Sequence, residues 1–230
     1  MFNNKFRWAI VIWFFIIYLV SFFDRVNLAM AAPIVMKEFG MSPSQLGLIL
    51  GTFTLGYAFS NFPAGFLSQK YSSRVVISFI LFLWSIMTLF TGFAWGFVSL
   101  LIFRAIFGVA EGPIVPVING TVGRWLLSRE KAMATGLWMA GIPAGVVLGN
   151  IGSVYIIEWW GWRSVFYIFG VGGILLAIAT WYIIRDEPQQ HPLMKAEEKN
   201  LIVSEYHALV TGSESGSTLR QLIKDRFLWV

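Results

Sequence analysis

Cysteine is absent from this chain, and histidine occurs only at His191 and His207. The first absence excludes disulfides, thiolate catalysis and cysteine-ligated metals. Charged residues are also scarce, at 13 % of the composition, whereas a typical soluble domain has about 25 %. Apolar residues reach 57 %. Because so few charges cannot cover a water-facing surface, we predict that most of the chain lies in a lipid bilayer.

Six apolar stretches have the roughly 20 residues that a helix needs to cross a bilayer. Backbone polar groups in lipid must be satisfied internally, so each stretch is predicted to be an α-helix. The predicted spans are Trp8–Ala32, Leu46–Leu67, Val75–Phe93, Val98–Val122, Met133–Ile157 and Ser164–Ile184. The predicted fold class is therefore an all-α membrane protein, with a six-helix bundle over residues 1–184.

Basic residues between the spans indicate the orientation. If the amino terminus is cytoplasmic, the inside segments carry thirteen Lys and Arg residues, and the outside loops carry only Lys37 and Arg163. This asymmetry follows the positive-inside rule and predicts that both ends face the cytoplasm of a plasma-membrane protein. The same distribution argues against a nucleic-acid partner, although the net charge is +5.

The composition becomes polar after the sixth span. We predict a cytoplasmic linker over residues 185–218, with a short helix near Ala196–Leu209 whose Glu197, Glu198 and Lys199 form a solvated face. Residues 219–230 turn apolar again, which is typical of the approach to a seventh span. The sequence thus predicts one half of a longer protein, with a carboxy-terminal half as its partner.

Four charges fall within the predicted spans: Asp24 and Arg25 in span 1, and Arg104 and Glu111 in span 4. A charge at the bilayer centre costs about 2.5–3.5 kcal/mol, so such residues usually serve a function. One reading is purely structural, in which Asp24 pairs with Arg104 and Arg25 pairs with Glu111. The other is a transport site, because spans 1 and 4 are equivalent in a 3+3 division and transporters often place sites between inverted repeats of three helices.

Several motifs resemble the anion:cation symporter family of the major facilitator superfamily, in its amino-terminal half. Asp24-Arg25-Val26-Asn27-Leu28 resembles the Asp-Arg-x-Asn-Leu of span 1. Span 4 matches at Arg104, Gly108, Glu111 and Pro116. Further similar segments are Arg124-Trp125 with Arg129 and Gly136, Gly161-Trp162-Arg163 with Phe166, and Asp186-x-Pro-x-x-His-Pro.

The resemblance implies roles for four residues. Asp24 and Glu111 would carry the coupling proton, and Arg25 and Tyr57 would contact an anionic substrate. An arginine suits that contact because its planar fork matches a carboxylate bidentately. Arg104 is expected at the substrate site too, where it would modulate Glu111. The resemblance implies no cofactor, and no site residue is predicted to bind a metal.

The loop after span 2 departs from the superfamily pattern Gly-x-Leu-Ala-Asp-Arg-x-Gly-Arg. Gly65 matches and the basic residues Lys70 and Arg74 remain, but Gln69 stands in place of the acid and Ser72 in place of the second glycine. In the superfamily this loop latches the cytoplasmic gate, so the latch here is expected to lack its acidic contact.

The predicted function is a secondary transporter that couples proton movement to uptake of an organic anion, such as a sugar acid, by alternating access. Three alternatives remain: an exporter or drug antiporter of the same superfamily, sodium in place of the proton, and a non-transporting half. The sequence does not favour an enzyme, because no histidine, cysteine or Ser/His/Asp set lies within the spans.

Overall fold

The computed structural model describes residues 6–61, 63–64 and 71–212, with only the backbone of 206–212. These residues form nine α-helices, one short 3₁₀ turn at Pro188–Gln190, and no strand. The helices are α1 Phe6–Phe39, α2 Pro43–Asn61, α3 Ser73–Gly92, α4 Phe97–Glu111, α5 Ile114–Trp125, α6 Ser128–Met139, α7 Gly141–Trp160, α8 Trp162–Ile183 and α9 Ala196–Gly212. The all-α fold class is confirmed.

Five segments of the described chain are long and apolar enough to cross a membrane. They are Phe6–Phe39, Ser73–Gly92, Phe97–Trp125, Ser128–Trp160 and Trp162–Ile183. They correspond to predicted spans 1, 3, 4, 5 and 6. The second predicted span coincides with α2, which has 19 residues and ends next to the undescribed positions 62 and 65–70.

Helix α1 continues well beyond its predicted end at Ala32. Its 34 residues correspond to about 50 Å at 1.5 Å per residue, which exceeds the roughly 30 Å of a hydrocarbon core. Pro33 lies inside the helix, where it removes one backbone donor. Near the end of the extension, Glu38 pairs with Arg163 Nη1 at 2.7 Å and accepts a hydrogen bond from Trp162 Nε1 at 2.7 Å. These contacts tie one end of α1 to the start of α8.

Prolines divide two of the spans. Span 4 breaks between α4 and α5 at Gly112–Pro113, and Pro116 has no N–H to bond the Gly112 carbonyl. Asn61 Nδ2 of α2 donates to that carbonyl instead, at 3.1 Å. Span 5 breaks between α6 and α7 at Ala140, because Pro143 cannot donate to the Met139 carbonyl.

Each helix of the first three spans packs mainly on one helix of the last three. The most extensive contacts join α1 to α7, α2 to α4, and α3 to α8. The α1–α7 contact depends on Gly141, Gly145 and Gly149, where an added Cβ would lie 2.6–2.9 Å from atoms of α1. Such small residues let two helices approach closely in a membrane. These three glycines form a GxxxGxxxG motif, which serves helix packing here.

Candidate transport site

The four intramembrane charges converge where α1, α2 and α4 meet. Glu111, Asp24 and Arg104 are almost fully buried, with exposed fractions of 0 %, 1 % and 4 %, whereas the Arg25 side chain is 21 % exposed. Asp24 lies about midway along α1, and Glu111 is the last residue of α4 before the break at Gly112–Pro113. The helix break therefore lies directly beside a buried carboxylate.

Arg25 and Glu111 form a direct ion pair. Arg25 Nε donates to Glu111 Oε1 at 3.0 Å, and the Ser21 hydroxyl donates to the same oxygen. Oε2 of Glu111 and Nη2 of Arg25 make no hydrogen bond within the part of the chain that the structure describes. The predicted pair of Arg25 with Glu111 is therefore present. Each partner keeps one polar atom without a hydrogen bond among the described residues.

Aromatic rings surround the Arg25 guanidinium. Its carbon lies 4.7 Å from the ring centroids of Phe22 and Tyr57, and 5.4 Å from that of Phe53. Cation–π attraction of this kind holds a guanidinium without neutralising its charge. Arg25 therefore keeps its positive charge in this ring cluster, and Tyr57 lies beside it.

The other predicted pair, Asp24 with Arg104, is wrong. Arg104 makes no ion pair with the Asp24 carboxylate; its Nη1 donates to the Asp24 backbone carbonyl at 3.2 Å, and its Nη2 donates to Asn27 Oδ1 at 2.9 Å. Both carboxylate oxygens of Asp24 lack a well-formed hydrogen bond among the described residues, with the Thr88 hydroxyl of α3 nearby. Asp24 is thus a buried acid without a direct counter-ion.

Three polar neighbours were not predicted as site residues: Ser21, Thr88, and Asn27, which was named only as part of the span 1 motif. Ser21 is four residues before Arg25, and Asn27 is three residues after Asp24, so each shares a helix face with a charge. Polar residues at this spacing in an apolar helix were the signal available. Thr88 lies on another helix, and no local pattern connects it to Asp24.

The gate loop is only partly described. Gly65, Gln69 and Lys70 lie outside the described residues, so the structure does not test their predicted role. Arg74 is described, and its guanidinium carbon lies 4.2 Å from the Trp181 ring centroid on α8. Asp186, at the start of the linker, accepts hydrogen bonds from the Ser72 hydroxyl at 2.7 Å and from the Arg74 backbone N–H at 3.2 Å.

The linker helix packs on the bundle through a cluster of charges. Arg7 is buried and donates to Glu130 through Nε at 2.7 Å and Nη2 at 2.8 Å, and to Glu198 through Nη1 at 2.9 Å. Glu198 also accepts the backbone N–H of Phe6 at 3.0 Å. The predicted linker helix is confirmed as α9, but its expected solvated face is wrong at Glu198. Sequence patterns do not show this pairing, because its partners are more than 120 residues apart.

His191 of the linker is also buried, at a ring-centroid distance of 4.1 Å from Phe6 and 5.9 Å from Trp125. Burial lowers the pKa of His191, and the positive charges of Arg185 and Lys199 lower it further, although the Ile183 carbonyl opposes them. The pKa of Glu205 is lowered as well, because its carboxylate accepts the Ser128 backbone N–H at 2.6 Å. Residues 219–230, the predicted approach to a seventh span, lie outside the described residues.

Comparisons with known proteins agree with this architecture. The chain is 30 % identical over 199 residues to the hexuronate transporter of Bacillus subtilis, covering 84 % of this chain and 47 % of that protein. It is 32 % identical over 183 residues to the D-galactonate transporter of Escherichia coli O6:H1, covering 80 % of this chain and 42 % of that protein. The chain thus spans about half the length of these relatives.

A solved structure is similar as well. It is a bacterial homolog of the human lysosomal transporter Spinster in an inward-facing, occupied conformation, with a TM-score of 0.73 and 27 % identity. The match covers 81 % of this chain and 46 % of that one. The sequence model described as Major Facilitator Superfamily matches residues 14–230, nearly the whole chain. This chain therefore belongs to the major facilitator superfamily.

Proposed function

We propose that the chain is the amino-terminal half of a proton-coupled transporter that takes up an organic anion, a sugar acid or another carboxylate, by alternating access. The observation that carries the proposal is the buried Arg25–Glu111 ion pair next to an acid, Asp24, that has no counter-ion. The names of the relatives support the substrate class, since they include hexuronate and D-galactonate transporters.

The chemistry of coupling follows from competition for Arg25. A substrate carboxylate that binds this guanidinium competes with Glu111 for the fork, in which Nε is paired with Glu111 and Nη2 is unused among the described residues. A proton on Glu111 removes its negative charge and releases Arg25 to the substrate. Asp24 offers a second carboxylate at the same level, where a proton offsets the cost of a buried charge.

The test is transport by the full-length protein in proteoliposomes, with D-galactonate or a hexuronate as substrate and with or without an imposed pH gradient. We expect Glu111→Gln, which imitates the protonated acid, to abolish gradient-driven accumulation while substrate counterflow remains measurable. Asp24→Asn should reduce both activities, because it also changes the charge beside Arg25. The matched control is Glu158→Gln, which neutralises an exposed acid on α7.

Undiminished gradient-driven accumulation by Glu111→Gln would remove this residue from coupling, and the same result for Asp24→Asn would leave proton symport without a carrier in this half. Accumulation that follows a sodium gradient but not a pH gradient would assign sodium as the coupling ion. Outward movement against the substrate gradient would instead support the exporter alternative.

The proposed location is the plasma membrane, with both ends of the chain in the cytoplasm. Its support is the excess of thirteen basic residues on one side of the spans over two on the other.

A further inference from the structure

The linker contains three acidic side chains that each contact the first turn of a different bundle helix. They are Asp186, Glu198 and Glu205, and their partners are α3, α1 and α6, respectively. The first N–H groups of a helix have no acceptor within the helix, and the helix dipole makes that end positive. A carboxylate satisfies both. Each of the three contacts joins residues at least 77 positions apart, so none is a local helix cap.

Glu198 makes the most enclosed of these contacts. The residue is 8 % exposed, and its carboxylate accepts the backbone N–H groups of Phe6 at 3.0 Å and of Arg7 at 3.3 Å. The same carboxylate pairs with the Arg7 guanidinium at 2.9 Å, and that guanidinium also pairs with Glu130 of α6 at 2.7 Å. Solvent screens a surface ion pair, but Arg7 is only 1 % exposed. Through Glu198, α9 is thus joined to both α1 and α6.

Helix α9 presents two of the three acids on one face. Glu198, Ile202 and Glu205 are spaced by four and three residues, which places them on the same side of a helix. Ile202 is 3 % exposed, so this side packs on the bundle. Glu205 accepts the Ser128 backbone N–H at the start of α6, at 2.6 Å. The adjacent Glu197, by contrast, is exposed.

The third acid fixes the beginning of the linker. Asp186 accepts the Ser72 hydroxyl at 2.7 Å and the Arg74 backbone N–H at 3.2 Å, both at the start of α3. Between Asp186 and α9, the buried His191 ring lies 4.1 Å from the Phe6 ring at the start of α1. The segment that joins the acids therefore also packs on the bundle.

The three helix starts lie at the same end of the bundle. Helices α1, α3 and α6 begin spans 1, 3 and 5, and successive spans run in opposite directions through a membrane. The linker leaves span 6 at that same end. One short segment, residues 186–205, therefore reaches all three starts.

We propose that residues 186–205 form a strap that holds the starts of α1, α3 and α6 together as one body. We call this segment the linker strap. Single carboxylate contacts with a helix start are weak, but here one segment makes three of them and buries one. The linker strap therefore moves with this half of the transporter, and its release loosens the helix starts that it joins. This role is independent of the substrate and of the coupling ion.

The test is hydrogen exchange of the full-length protein in nanodiscs without substrate, at about pH 7.5, where histidine is neutral. We expect Glu198→Gln to lower the protection factors of α9 and of the starts of α1 and α6 by roughly five-fold, because all three depend on the docked strap. Asp186→Asn should lower those at the start of α3 by a similar factor. Glu205→Gln should affect α9 and α6 less than Glu198→Gln does, since its contact is exposed.

The matched controls are Glu187→Gln and Glu197→Gln, which remove exposed acids next to Asp186 and Glu198. Their protection factors should equal those of the unmodified protein. Equal protection in Glu198→Gln and Glu197→Gln would overturn the proposal. So would a loss confined to α9, because the helix starts would then not depend on the strap. If Glu198→Gln does not fold, the comparison of Glu205→Gln with Glu197→Gln at the start of α6 decides in the same way.

Discussion

Arg25 has the largest exposed fraction of the four intramembrane charges, 21 % of its side chain, whereas Arg104 is only 4 % exposed. Its Nε is paired with Glu111, and three aromatic rings lie around the guanidinium. A residue in this environment is held in position before a ligand arrives, which reduces the entropy cost of binding. Geometry thus favours Arg25 over the more enclosed Arg104 as the anion contact.

The substitution Arg25→Lys tests this assignment. It keeps the positive charge but loses the planar fork, so affinity for a carboxylate substrate should fall by about 1.5–3 kcal/mol, or roughly 10- to 100-fold. Isothermal titration of the full-length protein measures the change, and Arg129→Lys provides a control on an exposed arginine. Unchanged affinity would transfer the anchor to Arg104 or to the other half of the transporter.

His191 predicts a pH dependence of linker packing. Because its pKa is lowered in the packed state, the neutral ring is the form that fits between Phe6 and Trp125. The stabilisation is therefore complete above the ordinary histidine pKa of about 6.5 and is lost as the pH falls below it. After correction for the pH dependence of intrinsic amide exchange, the protection factors of the linker amides should be several-fold lower at about pH 5.5 than at about pH 7.5.

The control for this measurement is His191→Gln, which has no proton to gain in this range. Its linker protection factors should depend much less on pH than those of the unmodified chain. An equal loss of protection at acid pH in both proteins would show that another group, rather than His191, controls the packing.

At the scale of elements, the α1–α7 contact offers a matched pair of glycine substitutions. A Cβ on Gly145 would lie 2.6 Å from the Leu19 carbonyl oxygen and 2.7 Å from Phe22 Cβ, whereas on Gly152 the nearest atom is 3.9 Å away. Gly145→Ala must therefore move α7 away from α1, at a cost of about 1–3 kcal/mol.

Gly152→Ala should be neutral or stabilising by up to about 1 kcal/mol, since alanine has the better helix propensity. Thermal unfolding in detergent distinguishes the two variants. A melting temperature for Gly145→Ala equal to that of Gly152→Ala would contradict the close approach of these helices.

The break in span 4 depends on a contact with the neighbouring helix α2. Pro116 leaves the Gly112 carbonyl without its helical donor, and the Asn61 amide replaces that donor across the α2–α4 contact. Glu111 immediately precedes this irregular backbone. The break and the buried acid are therefore held by the same helix pair.

At the scale of the whole molecule, the orientation is testable with single cysteines, because the natural chain contains none. A cysteine at Arg129 should react with a membrane-impermeant maleimide only from the cytoplasmic side, and one at Trp160 only from the outside. Both positions are exposed in the bundle, so accessibility does not limit the reaction. Labelling of the Arg129 position in intact cells would reverse the proposed topology.

Sequence patterns predicted the helical spans well where hydrophobicity alone decides them. Spans 3 and 6 were predicted within about two residues of their observed bounds. The end of α1 was predicted about seven residues short, because the contacts of Glu38 with α8 lie 124 residues away in the sequence. The breaks at Gly112–Pro113 and Ala140 follow from local proline chemistry, and Pro113 and Pro116 were visible signals.

The sequence by itself determined that the chain is an all-α membrane bundle and which charges lie within it, because hydrophobic length and charge cost depend on composition alone. The tertiary structure decided how those charges are partnered. Glu111 pairs with Arg25, but Arg104 binds Asn27 and a backbone carbonyl and leaves Asp24 without a counter-ion. Helix rotation and side-chain geometry set these partners. The tertiary structure also buries Glu198 against Arg7. Local spacing encodes neither arrangement, since each contact joins residues far apart in the chain.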